Sequence, residues 1–145
     1  MASIGQTTES AAPRTLLFRV GATVYGCDIA AVREIVPYHQ ATRLPGTRPY
    51  VNGLINLRGT IITVMDLGVR LEGDGTPATD GSIIIVEVGD RRLGLVVGEV
   101  MDVAPVAVAR APDDRADDVV RGLGHLGDTV VIVLDVGALV KQVLL

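Results

Sequence analysis

Gly122, Gly124 and Gly127 spell G-x-G-x-x-G, a pattern that lets backbone approach a dinucleotide pyrophosphate when it closes a strand and opens a helix. Here a β-run, Thr129 to Leu134, follows, and no acidic residue stands about 20 positions on. The glycines therefore read as turn formers. Of the three serines, Ser3, Ser10 and Ser82, none sits in a nucleophile elbow. His39 and His125 have no partner at metal-ligand or general-base spacing. Cys27 is the single cysteine, which excludes an internal disulfide and a cysteine-based zinc site; its strand pattern makes it a small buried apolar residue. Asp66 and Asp135 each close a β-run before a helical segment. Paired carboxylates can be catalytic, but that recurring position fits helix N-capping. Asp113, Asp114, Asp117 and Asp118 surround Arg115 without the glycine and terminal Glu of a calcium loop. They read as a solvated loop, with an electrostatic docking patch as the alternative.

The elements that carry these residues are mostly strands. Residues 1–13, rich in Ser, Thr and Ala, read as a disordered tail. Leu16 to Val20 and Thr23 to Cys27 form a hairpin around Gly21-Ala22, and Asp28 caps a short helical turn. Glu34 to Thr42 is extended, and Val51 to Leu57 and Thr60 to Asp66 make a second hairpin around Arg58-Gly59. The second half repeats the first. Val20-Gly21, Gly26, Val32 and Pro37 reappear as Val88-Gly89, Gly94, Val100 and Pro105 at an offset of 68. Gly53, Leu54 and Thr60 to Asp66 reappear as Gly122, Leu123 and Thr129 to Asp135 at an offset of 69. This is a tandem duplication of a five-strand unit. Two copies cannot make a solenoid, so each is expected to form a small closed or nearly closed antiparallel barrel. A unit this short has a thin core, so the two should share an apolar seam. The expected division is a first barrel at about 14–72, a second at about 81–135 and a C-terminal helix at about 135–145, carrying Val136, Leu139, Val140, Val143 and Leu144 on one face.

Within this scaffold Arg58 stands out. Its turn, Asn56-Leu57-Arg58-Gly59, corresponds to Leu126-Gly127-Asp128 in the second copy, where the scaffold is kept and the arginine is not. A residue that differs between copies on an unchanged scaffold serves contact rather than folding. The planar guanidinium fork, with five donors, is favoured at interface hot spots.

Composition narrows the function. The chain is 145 residues long and 48% hydrophobic, one domain with a sizeable core. Its net charge of −4 argues against a general nucleic-acid binder. No basic-then-apolar leader or run of about 18 apolar residues is present, which predicts a cytoplasmic protein without membrane insertion. Residues 1–70 hold seven Arg against four acidic residues, and residues 71–145 hold six basic against thirteen acidic. A basic front and an acidic back suit two different partner surfaces, or head-to-tail docking.

The segment Val51-Asn52-Gly53-Leu54-Ile55-Asn56-Leu57-Arg58-Gly59-Thr60-Ile61-Ile62, running on to Val64 and Asp66-Leu67, resembles the core motif of the CheW family, the coupling proteins of bacterial chemotaxis. Thr63 stands where that family usually has Pro. Phe18 to Ile35, Ile83 to Val103 (with Gly98 in place of an Asp), Gly122-Leu123 and Val133 to Asp135 extend the resemblance over about 15–142. It implies a mostly β fold of two pseudo-equivalent five-stranded SH3-like barrels packed on a shared apolar core, with short helices and a C-terminal helix. It also implies no catalytic activity, no cofactor and no metal. The implied role is an adaptor that couples the cytoplasmic tips of methyl-accepting chemoreceptors to the regulatory domain of a CheA-type histidine kinase, with self-association in receptor arrays. By position, Val32, Glu34, Val36 and Tyr38 map to partner-contact surface, Asn56, Arg58 and Gly59 to the functional turn, and Val97 and Val100 to a receptor groove between the barrels. Two alternatives stay open: a CheW-like coupler of a gliding or pilus-based motility system, and a small-ligand-binding β-barrel protein.

Overall fold

The computed structural model describes residues 12–73, 80–110 and 118–144. Eleven strands run in order: β1 (Arg14–Val20), β2 (Thr23–Asp28), β3 (Val32–Pro37), β4 (Val51–Leu57), β5 (Thr60–Asp66), β6 (Ser82–Val88), β7 (Arg91–Val97), β8 (Glu99–Pro105), β9 (Val108–Arg110), β10 (Val120–Leu126) and β11 (Thr129–Leu134). Helix α1 (Leu67–Glu72) follows β5, and α2 (Val136–Leu144) follows β11. A 3-10 turn, Ile29–Ala31, is capped by Asp28, whose carboxylate accepts from the Ala30 N–H at 2.9 Å.

The duplication is visible in the fold, but not with the expected boundaries. The sheets have orders β3-β6-β7-β5-β4 and β8-β1-β2-β11-β10-β9. Each takes its central hairpin from one half of the chain and its flanking strands from the other. The segments at about 14–72 and about 81–135 therefore do not each close a barrel; they exchange their first hairpins. The physical reason is that β1-β2 and β6-β7 carry the same pattern, so either hairpin fits either set of partners. The halves meet at two seams in each sheet, one parallel (β5 with β7, β11 with β2) and one antiparallel (β3 with β6, β1 with β8). The second copy also adds the short β9, whose counterpart in the first is one bridge, Thr42 to Leu54.

This exchange buries both faces of the hairpins. Leu16, Phe18 and Val20 of β1 and Ile84 and Val86 of β6 face a shared core completed by Leu93, Leu95, Leu134 and Leu139. The alternate residues enter the separate interiors: Leu17 joins Val24, Val131 and Val133, and Ile83 and Ile85 join Val36, Ile55, Ile62 and Val64. Burial on both faces explains the continuous apolar stretches Leu16-Leu17-Phe18 in β1 and Ile83-Ile84-Ile85-Val86 in β6. Each such side chain contributes roughly 1.5–3 kcal/mol.

The helix starts match between copies. Asp66 accepts from Val69 N and Asp135 from Ala138 N, both at 3.1 Å. The Asp66 N–H donates to the Tyr50 carbonyl at 2.8 Å, and the Asp135 N–H to Val119 at 2.7 Å. Both aspartates are caps. Pro13 belongs to the fold rather than to the tail, since its carbonyl accepts from Val106 N at 3.0 Å. The rest of the tail, except Ala12, and Asp113, Asp114, Arg115 and Asp117 lie outside the described residues.

Cys27 is fully buried in the shared core. Burial, with the Asp28 carboxylate next to it, pushes its thiol up to about 12. A raised thiol pKa keeps the folded protein protonated at neutral pH, so the stability it contributes is present below the ordinary thiol range and fades as pH climbs through that range towards 12. At pH 8 the native chain should react with a thiol reagent at least about 100-fold more slowly than the denatured chain. Equal rates would show that the core opens freely.

Candidate functional site

The turn between β4 and β5 is two residues long, because Leu57 pairs with Thr60. Arg58 and Gly59 both have positive φ, 50° and 88°, the pattern of a type I′ hairpin turn. Arg58 is the non-glycine residue with positive φ among the described residues. Asn56 braces the turn, its Oδ1 accepting from the Gly59 N–H at 2.8 Å. The Arg58 Nη2 donates to both oxygens of Glu34. Glu34 lies on β3, at the opposite edge of the sheet from β4. The contact therefore requires the sheet to curl until its two ends meet.

The pair is open to solvent: the Arg58 side chain is 67% exposed and Glu34 30%. Ion pairs of this kind contribute less than about 1 kcal/mol, so the contact orients the guanidinium rather than holding the fold. Exposed apolar groups flank it on the same strands, Ile61 at 60% and Ile35 at 42%. Sequence reading missed both isoleucines as surface groups. The available signal was the Ile61-Ile62 doublet, in which strand alternation must send one side chain outward.

The other expected contact residues divide. Tyr38 is half-buried, packs on the core of its own sheet, and donates its N–H to the Gly81 carbonyl at 3.1 Å. Val32 and Val100 are half-buried against the shared core. Val36 and Val97 are core side chains, 8% and 1% exposed, and so cannot touch a partner. Position in the family resemblance maps both to partner surface, whereas each side chain packs into a core. Asn56, Arg58, Gly59 and Glu34 thus come together in one place; Val36 and Val97 do not join them.

The second copy presents a different tip. Its turn is Gly127-Asp128, with Gly127 at φ 61°, and its exposed groups are Leu126, Val130 and Leu123. The glycine motif lies in β10 and this turn. A Cβ on Gly122 would meet the Ala109 carbonyl oxygen at 2.1 Å, so close backbone packing accounts for the glycine there.

No reaction centre emerges among the described residues. None of their His, Cys, Asp and Glu residues cluster in threes to hold a metal. Apart from Cys27, the shifted group is Tyr25, a core side chain whose phenol is raised by burial and by its hydrogen bond to Glu72. Among the described residues no helix is long and apolar enough to cross a membrane.

With this geometry in place, the comparisons with known proteins are specific. Residues 14–144 match the CheW-like domain. The chain is 34% identical to the chemotaxis protein CheW of Klebsiella aerogenes over 92% of its length and 85% of that protein's. It is 32% identical to protein PilI of Pseudomonas aeruginosa, over 57% of this chain and 47% of that one. The crystal structure of the scaffolding protein TtCheW from Thermoanaerobacter tengcongensis superposes with a TM-score of 0.74 at 31% identity, covering 85% of this chain and 88% of that one. The paired strand units, the arginine turn and these matches together show that the chain belongs to the CheW family, and is a non-enzymatic adaptor of chemotaxis signalling.

Proposed function

We propose that the Arg58 turn, with Asn56, Gly59 and Glu34, is the docking face for the regulatory domain of a CheA-type histidine kinase. The observation that carries this reading is an exposed arginine kept at φ 50° where the second copy has glycine. A second face serves the receptor. Arg19, Ala22, Thr23, Val24, Met101, Thr129, Val130 and Ile132 line a shallow depression of about 400 Å³. Its apolar lining, edged by Arg19, suits one face of a receptor-tip helix. A standard interface takes about 800 Å² per partner, and the two sheets offer that area on separate sides. Through these partners the protein sits at membrane-associated receptor arrays, where copies also meet one another. Signal then passes as a shift in kinase populations.

Pull-down with a kinase regulatory domain and a receptor-tip fragment tests this. Both should bind at once. Failure of the kinase domain to bind, or mutually exclusive binding, would retire the two-face reading. The similarity to PilI keeps a pilus-based pathway as the second reading; co-purification of a pilus-type kinase and receptor from the native host would favour it.

A further inference from the structure

Away from the Arg58 turn, five side chains surround an open depression of about 550 Å³: Arg48, Tyr50, Arg70, Lys141 and Gln142. They come from the loop before β4, from α1 and from α2, so both halves of the chain build it. Arg48 Nη1 donates to the Tyr50 hydroxyl at 2.9 Å. The Arg70 guanidinium lies over the Tyr50 ring, 5.8 Å from its centroid, and donates through Nε and Nη2 to Gln142 Oε1 at 3.1 and 2.9 Å. Among the described residues, Arg48 and Lys141 take part in no ion pair.

Three cations are thus gathered on one depression of a chain whose net charge is −4. Arg48 and Lys141 bring charge that no carboxylate among the described residues offsets, and folding alone does not call for it. The duplication supplies a comparison. At an offset of 69 the counterparts of Arg48, Tyr50 and Arg70 are Asp117, Val119 and Leu139, and the counterpart of Lys141 is Glu72. The pseudo-equivalent set of positions, Asp117, Val119, Leu139 and Glu72, carries no basic residue. We propose that this depression binds a phosphate-bearing ligand. The Arg48 guanidinium offers forked donors that match phosphate oxygens, Arg70 stands beside it with Nε and Nη2 on Gln142, Lys141 adds a mobile cation, and the Gln142 amide nitrogen remains a donor while its oxygen serves Arg70.

Titration calorimetry of the full chain with inorganic triphosphate tests the site, together with sedimentation against phosphatidylglycerol and phosphatidylcholine vesicles. Saturable binding should appear, weaken as salt rises, and fall at least about tenfold in Arg48→Ala/Lys141→Ala with unchanged Tm. Arg91→Ala, which removes an exposed charge elsewhere, should bind as the parent does. Triphosphate binding without vesicle binding assigns a soluble ligand; phosphatidylglycerol binding without triphosphate binding assigns a lipid headgroup. Either supports the site if the double variant loses it. Binding to neither, or equal loss in Arg91→Ala, would overturn the proposal.

Discussion

Arg58→Asn should leave the fold as stable as the parent, within about 0.5 kcal/mol, while weakening the kinase regulatory domain about 30-fold or more. Two opposing terms set the stability result. The substitution removes an exposed ion pair, a loss of less than about 1 kcal/mol. It also replaces a long side chain held at φ 50° by one that tolerates the left-handed region and is favoured at the first position of a type I′ turn. The terms nearly cancel. The binding result has no such offset, because the guanidinium is the part a partner would meet. Arg58→Lys, which keeps the charge but not the fork, should fall between. Chemical unfolding and a binding isotherm on the same preparations decide it. Unchanged affinity in a folded Arg58→Asn protein would remove Arg58 from the docking face. A stability loss well beyond 1 kcal/mol would show that the pair holds the sheet edges together.

Gly53→Ala should destabilise by about 3 kcal/mol or more and lower Tm by about 10 °C. Gly53 sits at φ 137°, where a side chain is strained. A Cβ there would lie 1.9 Å from the Thr42 carbonyl oxygen and 2.6 Å from its carbon, so backbone must move. The movement breaks the bridge in which Thr42 and Leu54 exchange hydrogen bonds of 2.8 and 2.9 Å. Gly122→Ala, its counterpart in the second sheet, should behave alike. Both glycines sit where the strand register slips by one residue, the bend that curls each sheet. Urea unfolding measures the loss. A cost below about 1 kcal/mol would mean that the 37–49 loop yields easily.

Much of this was legible in the residues. The matched offsets revealed the duplication, and the two aspartates at equivalent strand ends announced their helix caps. Arg58 was singled out because its counterpart differs. The strand exchange was not legible. Duplicated hairpins have identical periodicity, so the pattern says that a hairpin pairs without saying with which half. Val36 and Val97, buried in the cores, came from the family resemblance, which matches positions without saying which way a side chain points. The Glu34 partner of Arg58 lies 24 residues away and comes within reach only because the sheet curls.

The crossed assembly of the sheets has a consequence for biogenesis. As the ribosome emits the chain, β1 and β2 emerge well before the neighbours they need, β8 and β11. The β1-β2 hairpin must wait, unsheltered, until those strands are made, so neither half matures alone and the domain cannot be shortened to a single working module. Nicked between β5 and β6, it would persist as two interlocked fragments rather than as two small proteins.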